Sequence, residues 1–294
     1  MTPSVVHGNH TTTVEKDTMA QSGLYLVATP IGNLEDISYR AVRILTEADL
    51  VAAEDTRHSR TLLAHSDIDT PLMSLHEHNE SQVLDRVVEL VAAGQAVALI
   101  SDAGTPVISD PGYKLVCAVR EAGLPLFTVP GASAITAALS VAGLPPDRFV
   151  FEGFLPAKAA ARRKKLEDLR EEPRTLVFFE SSHRIRSAVA DMSGILGGTR
   201  LAAVCRELTK KFETVLRAPL HEISLTLEHD PNQTRGEFVI LIEGHVKDGD
   251  DALSGARQLA TDLLEFLPAS QASRVAARLH GVSRREVYAA LKGA

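Results

Sequence analysis

Short apolar runs bounded by turn residues alternate along the chain with stretches whose apolar positions recur every three or four residues. Leu24–Thr29, Leu50–Ala53, Ala96–Ile100 and Leu126–Val129 are of the first kind. Their apolar residues are largely continuous, so they read as strands covered on both faces. Ser38–Ala48, Ser81–Ala93, Gly112–Ala122 and Ser133–Val141 are of the second kind, and in Ser81–Ala93 the residues Val83, Val87, Leu90 and Val91 share one helical face. Strands and helices in strict alternation predict a mainly parallel sheet between two helical layers.

The segment Gly143-Leu-Pro-Pro-Asp147 interrupts this rhythm and marks a boundary between units. Beyond it, Phe149–Gly153, Thr175–Glu180, Leu201–Cys205, Glu213–Arg217 and Phe238–Glu243 read as strands, and Lys158–Arg170, His183–Leu196 and Pro219–Glu228 as helices. This is a second α/β unit with more antiparallel pairing. Lys247–Asp251 reads as a polar linker, and Ala252–Phe266, Ser270–His280 and Ser283–Leu291 as a wholly helical tail with a turn at Gly281. Residues 1–23 are polar and aperiodic and are expected to be an unstructured leader. The expected organisation is therefore leader 1–23, α/β units 24–145 and 146–246, and helical tail 252–294.

Chemistry is expected at the carboxyl ends of the first unit's strands, where open α/β sheets bind ligands. Three loops stand there: Ala28-Thr-Pro-Ile-Gly-Asn-Leu34, Ser101-Asp-Ala-Gly-Thr-Pro-Val-Ile-Ser-Asp-Pro-Gly112 and Val129-Pro-Gly-Ala-Ser-Ala134. Each alone could be an ordinary turn. Together, rich in Gly, Pro and small residues, they outline one crevice. No G-x-G-x-x-G and no G-x-x-x-x-G-K-[ST] occurs, so a dinucleotide fold and a phosphate-loop enzyme are both unsupported. Glu54-Asp-Thr-Arg57 ends a strand and offers either substrate-orienting charges or an ion pair with a helix cap. In Glu180-Ser-Ser-His-Arg184 the serines suit a helix cap, while His183 and Arg184 would sit in a first turn that the helix dipole does not favour for cations. His76-Glu-His-Asn-Glu80 lacks the i, i+4 histidine pair of a zinc helix, and no metal is expected.

Composition narrows the partners. With 31 Lys and Arg against 38 Asp and Glu the net charge is −7, which excludes a protein basic all over but not one with basic patches. Three basic clusters stand out: Arg162, Arg163, Lys164 and Lys165; Arg206, Lys210 and Lys211; and the tail, including Arg284 and Arg285. A charge run usually marks a solvated face, but three on an acidic chain suggest a polyanionic partner. Two cysteines, Cys117 and Cys205, are too few for a disulfide framework, and both are expected to be buried thiols. No apolar run is long enough to span a membrane, and a cytoplasmic location is the default expectation.

The loops ATPIGNL, EDTR, SDAGTPVISDPG and PGAS, with FFESSHRI, resemble the tetrapyrrole methylase superfamily of S-adenosylmethionine methyltransferases. HEHNE and CRELTKKFE resemble in particular its branch of bacterial 16S rRNA cytidine 2′-O-methyltransferases. The resemblance covers about Gly23 to His245, and the tail also resembles that branch. It implies two α/β domains with S-adenosylmethionine in the cleft between them, a homodimer, and methyl transfer to a cytidine ribose in the decoding region of 16S rRNA (cytidine 1402) on the small ribosomal subunit. Matched motif by motif, it implies cofactor contacts at Pro30, at Asp102, Ala103, Gly104, Thr105, Val107 and Ile108, at Ser133 and Ala134, and at Glu180, Leu208 and Val239. The second loop is one residue longer than the G-G-D-P loop of porphyrin methylases. Direct displacement of the methyl group needs a positioned substrate and a proton acceptor. Asp55, Glu54 and His183 are candidate bases or orienters, with Arg57, Arg184 and Lys210 as clamps. Arg162, Arg163, Lys164, Lys165, Arg184, Lys210, Lys211, Arg284 and Arg285 are candidate RNA contacts. Two alternatives stay open: a methylase of a small acidic tetrapyrrole, and a ribosome-binding module without catalysis.

Overall fold

The structure, a computed structural model, describes residues 20–76, 79–245 and 249–292. The first unit contains strands β1 (Gly23–Val27), β2 (Leu50–Ala53), β3 (Leu72–Ser74), β4 (Ala96–Ile100) and β5 (Leu126–Val129), in the order β3-β2-β4-β1-β5. Every pairing is parallel. All five residues of β4 are buried at the centre of this sheet, which is why its sequence is continuously apolar. Helices α1 (Tyr39–Glu47), α2 (Thr56–His65), α3 (Glu80–Ala92), α4 (Tyr113–Glu121) and α5 (Ala134–Val141) follow the strands in turn. Leu45 of α1 packs with Val27, Val51 and Ile100 in one core cluster, while Val87 of α3 and Leu115 of α4 pack with Leu24 and Leu99 in another. Each buried side chain of this size contributes about 1.5–3 kcal/mol.

The second unit has strands β6 (Phe149–Phe154), β7 (Thr175–Ser181), β8 (Leu201–Arg206), β9 (Thr214–Pro219) and β10 (Glu237–Ile242), ordered β6-β7-β10-β8-β9. Only β6 and β7 pair in parallel; β10 lies antiparallel between β7 and β8, and β8 pairs antiparallel with β9. Helices α6 (Ala159–Asp168), α7 (Ile185–Leu196) and α8 (Leu220–His229) accompany them. Ile185, Met192 and Leu220 pack with Phe178 and Ile240 in the main core of this unit. Val177, Ala203 and Leu241 instead pack with Ala138 and Leu139 of α5 and with Ile31, which docks the second sheet onto the first unit. The tail forms α9 (Gly249–Leu263), α10 (Ala269–His280) and α11 (Arg284–Lys292), closed around Ala256, Ala260, Ala276 and Val287. No helix among the described residues is long and apolar enough to cross a membrane.

The structure corrects several expectations. The leader reading fails at its last residues. Ala20 packs on the first core, the Ser22 hydroxyl donates to Val91 O at 3.2 Å, and Gly23 opens β1; residues 1–19 lie outside the described part. Helix α2 and the three-residue β3 have no apolar pattern to announce them. Helix α9 starts at Gly249, inside the expected linker. Ser181 ends β7 and caps nothing: α7 begins at Ile185 without a side-chain cap, so His183 and Arg184 precede its first turn. Cys205 is buried but Cys117 is only partly so.

Candidate functional site

The three glycine-rich loops do converge. Beyond β1, Thr29 N donates to Gly104 O at 2.9 Å and Gly104 N to Thr29 O at 3.1 Å, joining the first loop to the second as an isolated bridge. Gly104 has φ +81°, a conformation that a Cβ would strain, and an added Cβ would stand 3.2 Å from Ile31. The same loop holds two left-handed residues that are not glycine, Val107 (φ 77°) and Ser109 (φ 66°). A β-branched valine there is a backbone outlier of the kind that concentrates at ligand sites. The loop is anchored at its end by buried Glu80, whose carboxylate accepts from Gly112 N at 3.2 Å and pairs with Lys114 at 3.3 Å. The third loop closes against the second through Thr105 Oγ1, which donates to Ala132 O at 3.3 Å.

The facing wall comes from the second sheet. Glu180, 3% exposed at the end of β7, pairs with Arg184 at 3.1 Å, and Arg184 also donates to Leu155 O. Between β8 and β9, Glu207 (φ 53°) and Thr209 (φ 66°) are left-handed and flank Leu208, which is turned into the cleft. Glu207 accepts from Lys210 Nζ at 3.0 Å and from Glu237 N at 3.0 Å, and Lys210 also reaches Glu237 at 2.9 Å.

Between the two walls lies a cavity of about 500 Å³. The first unit lines it with Glu54, Asp102, Ala103, Gly104, Thr105, Ile108, Ser109 and Asp110, then Ser133, Ala134 and Ile135. The second unit adds Phe154, Phe179, Glu180, Cys205, Leu208, Glu237 and Val239. Burial pushes the Asp110 carboxyl above its ordinary value; a hydrogen bond with Ser101 opposes this and the nearby Asp102 charge adds to it. Burial, with Glu213 nearby, pushes the Cys205 thiol up to about 12, so it is a neutral part of the apolar floor. Among the described residues neither Asp102 nor Asp110 has a cation in ion-pair reach, whereas Glu180, Glu207 and Glu237 all do. A cleft with an apolar floor and uncompensated carboxylates on one wall suits a ligand that is part apolar and part cationic. A second cavity of about 270 Å³ adjoins it and shares Ile31, Asp102, Ala103 and Glu237 with it.

Residues 23–224 match the family model of the Tetrapyrrole (Corrin/Porphyrin) Methylases. The chain belongs to the tetrapyrrole methylase family. Residues 249–292 of this methylase match the model of the RsmI C-terminal HTH domain. Its relatives include proteins named "Ribosomal RNA small subunit methyltransferase I". That of Xylella fastidiosa (strain Temecula1) is 50% identical over 90% of this chain and 97% of its own. That of Pseudomonas aeruginosa is 50% identical over 92% and 96%, and that of Escherichia coli O157:H7 is 46% identical over 92% and 94%. Solved structures share the fold. The cobalt precorrin-4 methyltransferase CbiF superposes with TM-score 0.57 at 18% identity, over 75% of this chain and 94% of its own. The uroporphyrin-III C-methyltransferase of Thermus thermophilus, complexed with S-adenyl homocysteine, superposes with TM-score 0.53 at 18% identity, over 75% and 97%.

Within the methylase, ten of the twelve expected cofactor residues line the larger cavity: Asp102, Ala103, Gly104, Thr105, Ile108, Ser133, Ala134, Glu180, Leu208 and Val239. Pro30 lines the second cavity instead. Val107 is turned under the loop, against the core cluster of Leu99 and Leu115. The three expected catalytic side chains line neither cavity. The Asp55 carboxylate caps α2, accepts from Arg57 N at 2.8 Å and pairs with exposed Arg57 at 2.9 Å. Its hydrogen bonds from Arg57 hold it well below the ordinary range, at about 2. What Asp55 gives the site is its backbone: its N–H donates to Asp102 Oδ1 at 3.1 Å. His183 is exposed in the turn before α7. Glu54, also a candidate, does line the cleft.

The expected RNA contacts divide. Arg162 is 5% exposed and donates to Asp191 at 2.7 Å, so it belongs to the fold and cannot reach a phosphate. Arg163 is tied to the same carboxylate at 2.8 Å, Lys165 to Glu152 at 2.7 Å, Arg184 to Glu180 and Lys210 to Glu207 and Glu237. Lys164, Lys211, Arg284 and Arg285 are exposed. Asp110, Phe154, Phe179 and Glu237 were not anticipated as lining residues. Asp110 had a signal, since it lies inside the glycine-rich loop. The others are placed by strand register.

Proposed function

We propose that this methylase uses S-adenosylmethionine to methylate 16S rRNA in the small ribosomal subunit, at the ribose 2′-oxygen of cytidine 1402. The observation that carries the reading is an intact cleft at the junction of the two units, in a chain about half identical over nine-tenths of its length to named small-subunit methyltransferases. The cleft fits the cofactor: Asp102 and Asp110 offer negative charge to its cationic groups, and Leu208, Val239 and Phe179 offer apolar surface to its adenosine. The S-adenyl homocysteine bound to the Thermus thermophilus fold relative supports the same choice. When bound, S-adenosylmethionine would supply an electrophilic methyl group to the ribose 2′-oxygen, with S-adenosylhomocysteine as leaving group and the hydroxyl proton released to solvent.

The protein's part is positioning. Asp55 N–H fixes the Asp102 carboxylate, and the Thr29–Gly104 bridge and Glu80 hold the loop that carries Asp102. The wall of the second unit is kept rigid by its own ion pairs. Arg284 and Arg285, at the exposed start of α11, serve as phosphate contacts. The protein acts in the cytoplasm as a homodimer, a reading that rests on the family resemblance. A mass near one chain by light scattering would overturn the dimer. The test of function is methyl transfer from labelled S-adenosylmethionine to small ribosomal subunits, with the modified nucleotide mapped. A 2′-O-methylcytidine at position 1402 is expected. Transfer to a base, to another nucleotide, or to a tetrapyrrole instead would overturn the reading.

A further inference from the structure

Phe212 lies in the turn between β8 and β9 and is 63% exposed. Single exposed apolar side chains are ordinary on a protein surface, but the turn that carries this one is fixed at many points. Glu207 and Thr209 are held in left-handed backbone. Lys210 N donates to Glu207 O at 3.0 Å, Glu213 N to Lys210 O at 3.1 Å, and Thr209 N to the Glu213 carboxylate at 2.6 Å. Lys210 pins the turn again through its pairs with Glu207 and Glu237, and its stem lies so close to Gly32 of the first unit that a Cβ there would stand 2.5 Å from its Cγ. The turn therefore holds the Phe212 ring out in water.

The neighbours of the ring say what it would meet. Lys211 Nζ stands over it, 5.6 Å from its centre. Unlike Lys210, Lys211 has no carboxylate partner among the described residues. An aromatic face with an uncompensated ammonium beside it suits a partner that is both flat and anionic. A nucleotide is such a partner, with its base against the ring and its phosphate against the ammonium. An apolar protein surface would use the ring alone and leave the ammonium unpaired. Position agrees with this. In the same turn Leu208 lines the donor cleft and Lys210 the smaller cavity beside it. Phe212 lines neither and follows Lys210 by two residues, at most about 7 Å along the chain, so it flanks the cleft without entering it.

We infer that Phe212 is a stacking platform for an unpaired RNA base that neighbours the target nucleotide, with Lys211 on the phosphate of the stacked nucleotide. Single-stranded RNA is recognised largely through unstacked bases laid on aromatic side chains. Every base has a flat face, so this contact holds the strand in place and does not choose its sequence. The inference rests on the rRNA reading above and adds to it a contact that is not electrostatic.

The test uses the full chain with small ribosomal subunits. The chain contains no tryptophan, so Phe212→Trp turns the ring itself into a fluorescent reporter. Its emission is expected to be quenched by subunits and unchanged by S-adenosylmethionine alone. Its subunit affinity should match wild type, whereas Phe212→Ala and Phe212→Leu should each bind about tenfold more weakly, with the salt slope unchanged because no phosphate contact is lost. Lys211→Ala should instead flatten that slope by about 0.7–0.9 of a unit, and an unchanged slope would overturn the phosphate contact. If wild type neither binds nor methylates subunits, the rRNA reading falls and this inference with it. If wild type does both, wild-type affinity in Phe212→Ala, or in Phe212→Leu alone, overturns only the stacking. An unquenched Phe212→Trp does the same. Quenching by S-adenosylmethionine alone would assign the ring to the donor cleft, and a changed mass of Phe212→Ala by light scattering would assign it to an interface between copies; either result overturns the inference.

Discussion

In the body of the protein Arg162 and Arg163 both close on Asp191, Lys165 on Glu152, Arg184 on Glu180, and Lys210 on Glu207 and Glu237. In the tail Arg284 and Arg285 stand exposed, and among the described residues the tail contains no ion pair at all. Both regions carry basic clusters, but in the body five of the candidate cations are engaged by carboxylates, Lys164 and Lys211 being exposed, whereas Arg284 and Arg285 of the tail are left to solvent. A basic cluster therefore signals a polyanion only where tertiary structure supplies no carboxylate to it.

The sharpest way to break this comparison is at Arg162. Its pair with Asp191 leaves the two side chains only 6% and 10% exposed. Arg162→Ala removes one of the two cations on the largely buried Asp191 carboxylate, leaving Arg163, and should destabilise the protein by about 1.5–3 kcal/mol, read by denaturant unfolding. A fully stable variant with weakened RNA binding would reverse the assignment. Replacing both Arg284 and Arg285 by alanine should do the opposite. Stability and cofactor affinity should hold, while the salt dependence of subunit binding flattens by about 0.7–0.9 of a slope unit per lost phosphate contact. An unchanged slope would leave the tail as packing only.

Two smaller effects concern carboxylates. Asp110 is raised by burial, so it takes up its proton at a higher pH than an ordinary aspartate. S-adenosylmethionine affinity should therefore fall as pH drops, starting above the usual carboxylate range, and Asp110→Asn should bind more weakly and lose that dependence. The same shift has a stability sign: the folded state holds this proton longer than the unfolded chain, so ionising Asp110 costs stability as pH rises through its raised value. Calorimetric titrations across pH read the binding effect. Glu172 is the reverse case. Its hydrogen bond from Arg174 lowers it from 4.5 to about 2, so its contribution is complete above 4.5 and fades as pH falls toward 2. Glu172→Gln should slightly flatten acid unfolding over that window, and an identical acid limb would contradict the pairing.

The first unit was the more legible half. Its strands Leu50–Ala53, Ala96–Ile100 and Leu126–Val129 end where the apolar runs end, because each is stopped by turn residues; the first two are covered on both faces, whereas the third, at the sheet edge, exposes Thr128. The loops beyond them could be read as one crevice for the same reason. Helix α2 escaped because, of its ten residues, only Leu62, Leu63 and Ala64 are apolar, and they do not set up a period. Asp55 and Arg57 carry suggestive charges, but two residues apart at a cap they satisfy each other. Arg162 sits in a run of four cations, and nothing local tells it from its neighbours; its burial depends on Asp191 of α7, 29 positions away.

The central claim is that the space between the two walls is the methyl-donor site, and calorimetric titration of S-adenosylmethionine tests it most directly. Ala134 lines that space from the start of α5. The account predicts saturable binding at about one site per chain in wild type and loss of that binding in a folded Ala134→Trp variant. Equal binding by wild type and folded Ala134→Trp would contradict it.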